Sequence, residues 1–85
     1  MESKTKKQQK PKWFQGQVYT EGAEVRNPFS GETYELNGLE LSIYDFIIGS
    51  STIMEMGLDT DVENLRKGLD WFRKNNGKAY MVLLD

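Results

Sequence analysis

Histidine and cysteine are both absent from this 85-residue chain. The first absence removes the commonest general base and the imidazole metal ligand. The second removes thiol nucleophiles, thiolate metal sites and any disulfide framework. No uninterrupted apolar run approaches the roughly 18 residues that a membrane-spanning helix needs, and no apolar segment follows the lysine-rich start. The expectation is a soluble, cytoplasmic chain that uses no cofactor and no membrane.

Carboxylates and hydroxyls remain as the possible chemical groups. Asp59, Asp61 and Glu63 alternate as in a calcium loop, but Asn64 stands where that loop needs Gly and Asp70 where it needs Glu. Helix capping accounts for the same acids. Ser50-Ser51-Thr52 follows no Gly-rich loop ending in Lys and has no base beside it, so it reads as a helix end or kink. No catalytic residue, cofactor-binding residue or metal ligand is assigned on this inventory, and the chain is read as non-enzymatic.

What is present points to one small domain with an arm. Hydrophobic residues make up 38% and charged residues 28%, a globular composition without much core material. The first twelve residues, "MESKTKKQQKPK", hold five of the eleven Lys/Arg and one of the thirteen acids, leaving six cations against twelve acids in the body. With no apolar side chain after Met1, this segment cannot offset its ordering entropy by burial. Residues 1–12 are therefore expected to form a disordered basic arm, and residues 13–85 a single domain. A domain of that size is marginal without a disulfide, a metal or a partner.

The body opens with "WFQGQVYT", whose β-branched and aromatic residues suit a short strand. "EVRNPFSGETYEL" reads as a hairpin, with strand-like residues at Val25 and over Thr33–Leu36. Asn27-Pro28-Phe29-Ser30-Gly31 supplies the turn, longer than a two-residue loop. Asn37 and Glu40 then make a capping box. Leu39, Ile43, Phe46 and Ile47 share one face at helical spacing, with Met54 extending it, while Leu41, Tyr44 and Ile48 broaden it. This helix either breaks near Gly49 or persists to Met56 and stops at Gly57.

A second helix begins with Thr60 and Glu63 as a capping box and ends at Asn75-Asn76-Gly77. Its stripe is Leu58, Val62, Leu65, Leu69 and Phe72, and Glu63–Lys67 and Asp70–Lys74 are i,i+4 pairs. "KAYMVLLD" is too short to choose between strand and helix by periodicity. A short helix placing Tyr80, Leu83 and Leu84 on the core is the expectation. The fold class is thus α+β: a small antiparallel sheet of two or three strands in the N-terminal half, packed by helices over about 38–56 and 60–75 and by a short C-terminal helical element.

Few residues are candidates for contact. Lys4, Lys6, Lys7, Lys10 and Lys12 precede Trp13 and Phe14, and aromatic rings beside cations can stack on bases while lysines hold phosphates. The favoured reading is that both rings anchor the first strand on the core. Trp71, beside Phe72, either extends the buried face of the second helix or offers a partner an exposed ring.

"NPFSGETYELNGLELSIYDFIIG" and "GLDWFRKNNGKAYMVLLD" resemble a group of small uncharacterised proteins of marine tailed phages, especially those of cyanobacteria. The resemblance covers about residues 25–85 and lies in the N-P-aromatic-S/T-G-E turn, the L-E-x-x-x-Y-D-F-I helix and the W-F-R…A-Y-M-V-L-L-D ending. It implies a phage origin and a bacterial cytoplasm, and it carries no assigned activity. The leading expectation is an accessory protein that acts by contact with a protein partner or with itself, as a possible homodimer. The alternative is a nucleic-acid-associated protein using the lysine arm with Trp13 and Phe14.

Overall fold

The computed structural model describes residues 8–84. Along the chain lie strands β1 (Ala23–Arg26) and β2 (Thr33–Leu36) and helices α1 (Gly38–Glu55), α2 (Val62–Asn75) and α3 (Gly77–Ala79). The last runs on into a π-helical turn, Tyr80–Leu84. The architecture is α+β, with one two-stranded antiparallel sheet, two main helices and a short C-terminal helical element.

The hairpin is closed by Asn27. Its side-chain oxygen accepts the backbone N–H of Phe29 at 2.8 Å and of Ser30 at 3.3 Å, the local bonding that favours Asn at turns. Its side-chain amide donates to the Val82 carbonyl at 2.9 Å, tying the turn to the far end of the chain. The register pairs Ala23 with Leu36, Glu24 with Glu35, Val25 with Tyr34 and Arg26 with Thr33. Alternation then sends Leu36 and Tyr34 to the core side and the two glutamates to the other face.

Helix α1 starts with the capping box: Asn37 accepts the Glu40 N–H at 2.8 Å and Glu40 accepts the Asn37 N–H at 2.9 Å. It runs through Gly49 and ends as a Schellman motif. Leu58 N–H reaches the Ile53 carbonyl and Gly57 N–H the Met54 carbonyl, with Gly57 at φ +80°. Of the two expected ends, the later one is realised. Helix α2 is capped by Asp61, whose carboxylate accepts the Asn64 N–H at 3.1 Å, rather than by Thr60. Both residues offer an oxygen, and the one that caps is the one directly before the first helical residue. On the exposed face Asp70 pairs with Arg73 one turn on, not with Lys74.

Glu40 at the start of α1 contacts Asn76 past the end of α2, and Ile47 lies against Gly68 in the middle of both helices. The two helices are therefore antiparallel, joined at Met56–Asp61. Between them and the sheet lies the core: Phe14, Leu36, Ile43, Tyr44, Ile47, Leu65, Trp71, Phe72, Ala79 and Leu83. Burying each of the larger aliphatic or aromatic side chains contributes about 1.5–3 kcal/mol. Leu83 closes the core from the C-terminal turn with Tyr80 and Leu84 packed beside it, as the helical reading of that segment expected.

Residues 13–20 do not form the expected first strand. They run as irregular chain over α1, where Tyr19 N–H donates to Ser42 Oγ at 2.8 Å. The segment is aromatic enough for a strand but pairs with neither β1 nor β2; Tyr19 N–H donates to a helix side chain instead. A Cβ at Gly38 would lie 2.1 Å from the Tyr19 carbonyl oxygen, so only glycine permits the crossing. The first seven residues of the expected arm lie outside the described residues. Contacts with the fold already begin at Gln8, which hydrogen-bonds Glu40 and Asn37.

Candidate functional site

The joined ends of α1 and α2 carry a run of exposed apolar residues. The last buried residue of α1 is Ser50 and the first of α2 is Leu65, and everything between is exposed or half-buried. The buried seam between the helices stops at Ser50 and Leu65, and the apolar residues beyond it are left uncovered. Ile53, Met54, Met56, Leu58 and Val62 all stand open, Met56 at 65% and Leu58 at 58% exposure. Met54, Leu58 and Val62 were expected to continue the buried stripes. They do not, because the stripes extend past the region in which the two helices face each other.

The tip is held in shape. The Schellman motif brings Leu58 back toward Ile53, the residue pair that commonly touches in this motif, and the Asp61 cap fixes the start of α2. An apolar surface on a braced turn loses little conformational freedom when it meets a partner. Its charges are of one sign. Glu55, Asp59, Asp61 and Glu63 alternate in sequence with the apolar residues, and no Lys or Arg occurs from Asn27 to Leu65. The first cations, Arg66 and Lys67, come further along α2.

Beside the tip, and sharing Asp61 with it, is a small cleft of about 260 Å³ lined by Trp13, Phe14, Gln15, Gly16, Phe46, Asp61 and Asn64. Its aromatic wall is built by three rings in mutual contact: Trp13–Phe14 and Trp13–Phe46 with centroids 5.9 Å apart, Phe14–Phe46 at 6.1 Å. These are ordinary edge and tilted contacts of core aromatics. The cleft is smaller than the roughly 300 Å³ at which small-molecule sites begin, and fits a single side chain.

The residues singled out in the sequence fall into three groups. Lys4, Lys6 and Lys7 lie outside the described residues. Lys10 and Lys12 are exposed. Phe14 is buried at 4% exposure and Trp13 packs on Phe46 and above Gly68, so these rings anchor the N-terminal segment on the core. Trp71 is also buried, edge-on to Phe72 at 5.3 Å, and extends the core face of α2 rather than offering a ring to a partner. The tip residues were missed as contacts. Their signal was the mismatch between a stripe that continues and a turn, Gly57 through Asp61, that stops the helices from pairing.

A second, larger cleft of about 1040 Å³ lies where the N-terminal segment crosses the end of β2 and the start of α1. Gln8, Asn37, Glu40 and Asn76 along it satisfy one another. Glu40, 4% exposed, accepts Gln8 Nε2 at 2.8 Å and Asn76 Nδ2 at 2.9 Å on one oxygen and the Asn37 N–H on the other. Above it Tyr19 Oη donates to Asp45 Oδ2 at 2.8 Å. That hydrogen bond, with the carboxylate's charge, holds the Tyr19 hydroxyl above its ordinary value of 10.0. Burial pushes Tyr44 up as well, with Asp45 the lesser cause. This arrangement is a clasp between distant parts of the chain. Among the described residues no three acids gather as a metal ion would require, and no helix is long and apolar enough to cross a membrane.

Comparison with known proteins adds no relative: no family model, no curated protein and no solved structure matches this chain.

Proposed function

We propose that this protein acts by binding another protein through the tip of its α1–α2 hairpin, and performs no chemistry of its own. One observation carries the reading. Five apolar side chains from Ile53 to Val62 are exposed along a braced turn, where solvation of apolar surface is unfavourable unless a partner covers it. The side-chain inventory supports it from the other direction, since histidine and cysteine are absent and the buried carboxylate Glu40 is committed to a structural clasp. The sequence resemblance to small proteins of marine phages suits such an accessory role, and the setting we propose is the cytoplasm of an infected bacterium.

The test places a photo-reactive amino acid at position 56, at the tip, or at position 24, on the outer face of β1, in the cells that carry the gene. A discrete adduct from position 56 and none from position 24 is expected. Adducts at neither position, or equally at both, would end the proposal.

A further inference from the structure

The charged residues of the tip are all acidic, and the one charged residue lining the aromatic cleft beside it is Asp61, although the exposed Lys12 precedes Trp13; this limits what can cover them. A second copy docking tip to tip would bring Glu55, Asp59, Asp61 and Glu63 of each molecule against the same four acids of the other. Like charges set face to face across an interface cost several-fold to many-fold in affinity. A nucleic acid is repelled for the same reason.

Taking the tip to be the contact surface proposed above, we infer that its partner is a basic segment of another protein, with aliphatic anchors and a lysine or arginine that enters the Trp13–Phe46 cleft. The shape and chemistry of the site agree at each point. The aliphatic anchors meet Met54, Met56 and Leu58, and methionine side chains adapt to partners of varied outline. The cleft takes one long side chain. Its ring-lined wall suits the methylene stem and the face of a cation, and Asp61 at its edge receives the charge. The remaining acids border the patch and speed the encounter.

The probe is a synthetic peptide of leucine and lysine in helical repeat, about five turns long, titrated against the full chain by fluorescence anisotropy at two salt concentrations. Saturable binding of one peptide per chain is expected, weakening as salt rises. Replacing Met54, Met56 and Leu58 by serine leaves every charge in place and is expected to weaken binding at least about tenfold. Asp61→Asn keeps a good helix cap and is expected to weaken binding and lessen its salt dependence. Sedimentation of the serine variant against the parent reports self-association, and circular dichroism reports retention of the fold.

Three results would overturn the inference: no binding, binding unchanged by the serine variant, or equal binding of the same peptide with glutamate in place of lysine. A concentration-dependent dimer that the serine substitutions dissolve, without peptide binding, would sink the basic partner while leaving the tip as a contact surface. A peptide that binds independently of the tip, together with no adduct from position 56, would sink both.

Discussion

Asn76, just past the end of α2, donates its side-chain amide to Glu40 in the first turn of α1, at 2.9 Å and across 36 residues of sequence. The same carboxylate holds Gln8 and the Asn37 backbone, so one buried group joins the N-terminal segment, the start of one helix and the end of the other. Glu40→Ala strands these donors and is expected to cost about 2–4 kcal/mol. Urea unfolding measures this, and a loss below about half a kcal/mol would mean that water replaces the clasp. Glu40→Gln, which keeps the shape and one acceptor oxygen, is expected to fall between the two.

Gly38 lets the chain at Tyr19 cross α1 at backbone distance. Alanine is ordinarily worth about 1 kcal/mol over glycine in a helix. Here its methyl would meet the Tyr19 carbonyl at 2.1 Å, and backbone cannot swing away as a side chain can. Gly38→Ala is expected to destabilise by at least about 2 kcal/mol and to free the Tyr19–Ser42 hydrogen bond, visible as faster amide exchange at Tyr19. Unchanged exchange would contradict the close crossing.

Glu24 and Glu35 face each other across the hairpin. Like charges in that position oppose pairing, and opposite charges favour it by about 0.2–1 kcal/mol. Glu35→Lys is expected to stabilise the protein within that range, with the gain shrinking in high salt. Thermal unfolding at two ionic strengths would show it.

Gly57 has φ +80° and no atom near where a side chain would start, so a methyl there meets only the backbone penalty. Gly57→Ala is expected to cost about 1–2 kcal/mol. Because the Schellman motif shapes the tip, the same change is expected to weaken peptide binding more than a similar loss of stability elsewhere would. A matched destabilising change such as Gly38→Ala is the comparison.

Tyr19 and Tyr44 both have hydroxyls raised above 10.0, the first chiefly by its hydrogen bond to Asp45 and the second chiefly by burial. The fold therefore favours the neutral phenols. Their contribution is fully present below the ordinary tyrosine value and is lost as pH climbs through the raised ones. Stability is expected to decline above about pH 10. Asp45→Asn removes the charge acting on both, and a phenolate absorbance titration is expected to move down toward the ordinary value. A titration that stays in place would show the Asp45 contact to be without effect.

Local signals were the readable part of this sequence. The Asn37–Glu40 box, the Asn27 turn and the buried stripe from Leu65 to Phe72 each depend on residues within a few positions of one another, while the first helix end stays open between Gly49 and Gly57. Failures came where distant residues decide. "WFQGQVYT" has the composition of a strand, but a strand needs an edge to pair with, and this segment meets the side of α1. The stripe through Leu58 and Val62 reads as core because periodicity records which residues share a face, not whether another element covers that face. Glu40 reads as a cap, which it is. Its role in the clasp depends on Gln8 and Asn76, and no spacing connects them.

Asn37 and Asn76, the two asparagines that cap helices and border Glu40, are each followed by glycine. That neighbour offers the least hindrance when a backbone nitrogen attacks the side-chain amide, closes a succinimide and releases ammonia. Water then opens the ring to aspartate or isoaspartate. While their amides are held by Gln8 and Glu40, both residues are restrained from turning into that geometry. A molecule that has opened once and aged would return with a carboxylate set against the carboxylate of Glu40. Such a preparation would grow more acidic with storage, and its oldest molecules would be the ones least able to close again.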